Sequence, residues 1–121
     1  MIRSPDIERA VTFYKALGLP FTKHSHGSGP EHYTSEMGGF VFEIYPARNE
    51  SDLTTAIRFG FSVDNVDSVV KALSVLGSTI RTSPADTEWG RRAVVHDLDG
   101  HIVELTTPLN RENRVIADYQ A

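Results

Sequence analysis

With 121 residues and 16 acidic against 12 basic side chains, the chain has the length of one domain and a formal net charge of −4. That balance argues against a nucleic-acid surface, which needs a basic stripe. Hydrophobic residues at 40% and charged residues at 23% suit a globular protein. No apolar run approaches the ~20 residues of a membrane span, and no signal-peptide pattern precedes Ser4-Pro5-Asp6, so no membrane partner is expected. There is no cysteine, hence neither a disulfide framework nor a thiol nucleophile, and the expected compartment is the cytoplasm.

Met1 to Pro5 has the character of a strand's end but is too short for a whole strand. Asp6 is placed to cap a helix in which Ile7, Ala10, Val11, Tyr14 and Leu17 recur at helical spacing, and Gly18 closes it. Leu19 to His26 reads as a strand, with His24 and His26 exposed beside the loop Gly27-Ser28-Gly29-Pro30. Glu31 to Met37 and Phe40 to Tyr45 flank Gly38-Gly39, the glycine pair of a tight hairpin. Polar residues from Pro46 to Thr55 then link to a second set of elements.

That set opens with a strand over Ile57 to Val63. Asp64 is the expected cap of a helix with the apolar stripe Val66, Val69, Val70, Leu73 and Leu76, with Asp67 able to reach back to the cap. Gly77 ends this helix. Ser78 to Arg81 begins a strand, Ser83 to Gly90 reads as a loop carrying Trp89, and Arg91 to His96 is a further strand. Asp97-Leu98-Asp99-Gly100 has turn chemistry, His101 is expected to face solvent, and a strand follows to Pro108. The residues from Asn110 onward read as a tail with a short docking helix.

Two carboxylates turn this order into a pattern. Side chains alternate across a strand, so Val103 and Leu105 point one way while Ile102, Glu104 and Thr106 point the other. Phe40, Phe42 and Ile44 likewise oppose Val41, Glu43 and Tyr45. Glu43 and Glu104 are equivalent, as are the amphipathic stretches from Asp6 and Asp64, and the chain reads as an internal duplication. The expected division is 1–46 as a first module, 47–56 as linker, 57–108 as a second module and 109–121 as tail.

Four stretches carry a resemblance to a known family: D-I-E-R-A-V-T-F-Y-K-A-L-G-L from Asp6, S-V-D-N-V-D from Ser62, W-G-R-R from Trp89, and D-L-D-G-H-I-V-E-L from Asp97. Their order and spacing resemble the vicinal oxygen chelate superfamily, which includes glyoxalase I, bleomycin-resistance proteins, fosfomycin-resistance enzymes and extradiol dioxygenases. The resemblance implies an α+β fold of two βαβββ modules, here with the first strand of module one truncated, lining a cleft. It also implies a homodimer and a small-molecule ligand. Phe40, Phe42, Ile44, Phe59, Phe61, Val103 and Leu105 should then lie under the helices, and Glu43, Arg58 and Glu104 on the concave side.

Metal-dependent members resembling this chain take a ligand from the first strand of each half and a glutamate from the last. The glutamates are present as Glu43 and Glu104, the candidate catalytic bases. The second-half histidine position is Arg58, which offers no lone pair. One outcome is a salt bridge from Arg58 to Glu104 or Glu43 and no metal. The other is zinc, nickel, manganese or iron held by Glu43, Glu104, His32 and His96. A Gly38-Gly39 turn puts Thr34 opposite Glu43 and His32 opposite Tyr45, and the later hairpin puts Val94 opposite Glu104 and His96 opposite Ile102. Arg58, Tyr45, Trp89 and Arg92 are the candidate substrate contacts. The functions implied are a glyoxalase I-like lyase (lactoylglutathione lyase) with a degraded metal site, a non-catalytic antibiotic-sequestering protein, or a metal-dependent dioxygenase or transferase with non-standard ligands.

Overall fold

A computed structural model describes residues 1–25 and 27–109. Its elements run β1 (Ile2–Ser4), α1 (Ile7–Ala16), β2 (Thr22–His24), β3 (His32–Met37) and β4 (Phe40–Pro46), then β5 (Arg58–Ser62), α2 (Val66–Val75), β6 (Ile80–Thr87), β7 (Gly90–His96) and β8 (Ile102–Pro108). Two four-stranded sheets result, ordered β1-β4-β3-β2 and β5-β8-β7-β6. The repeated order and strand pairing make this the expected α+β fold of two βαβββ modules. Among the described residues no helix is long and apolar enough to cross a membrane.

Local chemistry explains each start and stop. Asp6 caps α1 by accepting a 3.1 Å hydrogen bond from the Arg9 N–H, with Glu8 in the first turn favoured by the helix dipole. In α2 the cap is Asn65, not Asp64. Asn65 is the extended residue and accepts from the Ser68 N–H, so it, and not Asp64, is the counterpart of Asp6. Nor does Asp67 turn back to the cap, because Arg91 on β7 takes both its oxygens.

Three further expectations are corrected. Ser83 to Gly90 is not a loop: β6 runs through it to Thr87, with register shifts on either side of Thr82. Pro84 is tolerated because β6 is an edge strand and the proline falls at the irregularity, where no ladder donor is required. The strand from Leu19 is shorter than expected, since Leu19 and Phe21 pack on the core instead of pairing. His24 is half-buried, whereas His26 and the tail from Asn110 lie outside the described residues.

One core serves both modules. Phe13, Tyr14, Ile44, Leu73, Val103 and Leu105 are buried, and the Tyr14 ring meets Phe42 of module one at 4.9 Å and Phe61 of module two at 5.8 Å. Phe42, Ile44, Phe59, Phe61, Val103 and Leu105 thus lie on the covered side. Phe40 does not. It closes the hairpin opposite Met37, past the helix cover, and is 81% exposed.

His101 is also not where the turn chemistry suggested. It is fully buried, on the face that Val103 and Leu105 share, with Nδ1 2.7 Å from Asp97 Oδ2 and Nε2 2.6 Å from Thr54 Oγ1. A carboxylate only accepts, so Nδ1 is the donor. The Tyr14 hydroxyl donates to the same oxygen at 2.7 Å, while Oδ1 accepts the N–H groups of Asp99 and His101 at 2.9 Å. Arg9 adds a 3.0 Å bond to Asp99. The helix of module one is thereby fastened to the last hairpin of module two.

Burial raises the Asp97 pKa, but hydrogen bonds from His101 and Tyr14 outweigh it, and the carboxyl titrates below its ordinary range. With a depressed folded value, its contribution is complete above the ordinary carboxylate pKa and is lost as pH falls through that range towards the folded value. Tyr14→Phe should cost about 1–3 kcal/mol and Asp97→Ala about 3 kcal/mol or more, in urea melts at neutral pH. The Asp97→Ala deficit should shrink below about pH 4.

Candidate functional site

The concave face is set by two hairpins. Gly38 and Gly39 both have positive φ, 57° and 85°, which a two-residue turn of this hand requires and which other residues adopt with strain. The turn fixes Thr34 opposite Glu43. It thereby puts His32 beside Tyr45, where the rings stack at 4.2 Å and 7°. His24 stacks on His32 at 5.7 Å, and the Arg3 guanidinium lies 5.5 Å over the Tyr45 ring, so a row of flat groups crosses the sheet. His32 Nε2 stands 4.0 Å from Glu43 Oε2, and its Nδ1 lies 3.2 Å from the Pro30 carbonyl.

In the second module β7 and β8 pair Val94 with Glu104 and His96 with Ile102, while parallel β5 sets Gly60 beside Glu104. A Cβ on Gly60 would lie 3.2 Å from both the Glu104 Cβ and its carbonyl oxygen, so glycine lets β5 run close to β8 there. Glu104 Oε1 accepts from Arg58 Nη2 at 2.6 Å and Nε at 3.2 Å, and also from Arg92 Nη2. These bonds, from Arg58 first and then Arg92, hold the carboxyl below its usual range. The salt bridge is therefore made to Glu104. It is open to water, with side-chain exposures of 48% for Arg58 and 34% for Glu104.

Arg92 was placed by sequence at the cleft mouth, and its bond to Glu104 was missed. The signal was available: if Val94 opposes Glu104, Arg92 is its diagonal neighbour on the same face. Trp89 stands exposed in the β6–β7 turn, beyond the Gly90–Pro108 pair. His96 points its Nδ1 at the Gly100 carbonyl, 3.3 Å away.

These residues do not fit the metal that the family resemblance implies. A cation at Glu104 would meet two permanent cations on the oxygen it needs. His32, His96, Glu43 and Glu104 are not gathered into one ligand set. Among the described residues the one such group is Asp97, Asp99 and His101, with ligand atoms within 4.8 Å of one another. There both Asp97 oxygens and both His101 nitrogens are already engaged, and Asp99 Oδ2 alone has no partner. That group is the hairpin lock.

Duplicated βαβββ modules with paired glutamates on the concave sheets define a class of protein. Residues 1–105 match the Glyoxalase/Bleomycin resistance protein/Dioxygenase superfamily, and the chain belongs to that family. A protein of Mycolicibacterium smegmatis described as uncharacterized is 25% identical over 111 residues, 92% of each chain. Among solved structures, TnmS3, an antibiotic binding protein from Streptomyces sp. CB03234, has a TM-score of 0.66 at 23% identity, covering 88% of this chain and 90% of its own. The fosfomycin resistance protein FosX of Mesorhizobium loti has a TM-score of 0.64 at 18% identity, covering 94% of this chain and 91% of its own.

Because the Arg58–Glu104 pair is hydrated and Arg92 remains on the same oxygen, Arg58→Ala should change stability by no more than about 1 kcal/mol. Urea denaturation of the two proteins checks this, and a loss of several kcal/mol would mean a dry site.

Proposed function

We propose that the chain binds a small molecule carrying an acidic group on the concave side of its sheets, with Arg58 and Arg92 as the anion contacts and Tyr45 as a further candidate contact. The observation that carries this reading is the convergence of two guanidiniums on one oxygen of Glu104. One carboxylate neutralises one of them, which leaves a positive charge and spare N–H donors for a carboxylate or phosphonate. The same arrangement disfavours a metal at Glu104 and so favours binding over metal-assisted chemistry. TnmS3, described as antibiotic binding, and FosX, a fosfomycin resistance protein, lend this reading support from the same fold.

A second reading, a glyoxalase I-like lyase, is favoured by Glu43 alone. Its carboxylate faces His32 instead of an arginine, so Glu43 and not Glu104 is the candidate proton acceptor.

Calorimetry on untagged protein tests both readings. Oxalate and inorganic phosphate, the anion probes, should bind, and the double variant Arg58→Ala, Arg92→Ala should weaken them by at least about tenfold. Zinc and nickel should show no stoichiometric site. One tightly bound metal per chain, lost on Glu43→Gln or Glu104→Gln, would overturn the reading.

A further inference from the structure

One open space in the molecule lies away from the two glutamates. A cavity of about 610 Å³ lies between β4 and β5, on the side where Phe42, Phe59 and Phe61 face. β5 pairs with β8 along Ile102 to Thr106, whereas β1 pairs with β4 only from Ile44 to Pro46. Among the described residues no strand takes the same edge of β4 at Phe40 to Glu43. The three phenylalanine rings form a wall, with centroids 5.4 to 5.8 Å apart, and Leu17 and Leu19 from the end of α1 close one side.

We infer that this cavity is a second binding site, for a neutral, flat aromatic molecule bearing one hydroxyl or carbonyl group. Two independent observations support a ligand here. The first is volume and lining: the size falls within the roughly 300–1,000 Å³ of small-molecule sites, and the wall is mostly apolar and aromatic, which favours edge and offset ring packing. The second is Ser35. It lines the cavity, is 2% exposed, and its Oγ has no hydrogen-bond partner. A buried hydroxyl left without a partner is costly, and a ligand oxygen reaching it recovers that loss. Asp64, the one charged residue in the described wall, disfavours an anion. The site therefore differs in chemistry from the arginine face. Phe40 and Val41, exposed at the rim, form an apolar mouth through which such a molecule can enter.

The probes are 2-naphthol and naphthalene, titrated by calorimetry and by amide chemical-shift changes. Both should bind and shift the amides of Ser35, Phe42 and Phe61. Ser35→Ala keeps the space but removes the hydroxyl, and should weaken 2-naphthol about 3- to 10-fold while leaving naphthalene unchanged. Ser35→Leu pushes an isobutyl group into the space beside Phe42 and should weaken both, with near-ultraviolet dichroism confirming that the variant is folded. Equal effects of Ser35→Ala on the two probes, or shifts confined to the arginine face, would overturn the inference. So would a stable dimer in sedimentation that protects the amides of residues 40–43, because a second copy would then occupy the cavity. Oxalate binding is read separately, so failure here leaves the anion reading standing, and the reverse also holds.

Discussion

The buried carboxylate of Asp97 is the constraint on which the rest of the molecule depends. It sits where α1, the β7–β8 turn and the linker residue Thr54 meet, and each of its oxygens accepts two hydrogen bonds, from Tyr14, His101 and two backbone N–H groups. A charge in an apolar interior is tolerated only when its lone pairs are satisfied in this way. The burial of Tyr14, and then the charge on Asp97, raises the phenol's pKa far above its ordinary range, which keeps it a donor. The same ring carries the aromatic packing between modules. One residue thus ties polar and apolar cohesion together.

Period and turn chemistry made most of the architecture legible. Gly38-Gly39 fixed a register, that register aligned Glu43 with Thr34, and alternation put Phe42, Ile44, Val103 and Leu105 under the helices. The failures came from long-range partners. Turn composition suggested an exposed His101, although alternation from Val103 already placed it on the covered face. The buried outcome depends on Thr54, 47 residues away. Ser83 to Gly90 reads as a loop because nothing local marks β6 as an edge strand, where Pro84 is tolerated. Asp64 and Asn65 are equally good caps by type, and the choice rests on backbone: Thr107 takes the Val66 N–H, leaving Asn65 extended at the start of α2.

The candidate site was legible in its residues but not in its pairings. Arg58 and Glu104 follow from strand alternation and from the family pattern, and the Val94–Glu104 register brings Arg92 to the same face, but the sharing of one oxygen is visible only in the structure. His32 shows the opposite case. Its residue type suggested a ligand, whereas its neighbours made it part of a stacked row with His24 and Tyr45. A flat, buried imidazole between two rings is positioned more by packing than by charge, and the Glu43 carboxylate stands at the outer limit of an ion pair with it.

Strand β5 explains why two chemically distinct surfaces coexist in so small a chain. Arg58 faces the concave side, and Phe59 and Phe61 face the aromatic cavity, as the period of two requires. Gly60 lies between them without a side chain, so it lines the cavity while letting Glu104 approach β5. Any larger residue there would press on the Glu104 Cβ and disturb the carboxylate that Arg58 and Arg92 share. In a chain of net charge −4, the two guanidiniums that share the Glu104 carboxylate put positive charge on one side of β5, while Phe59 and Phe61 make its other side apolar.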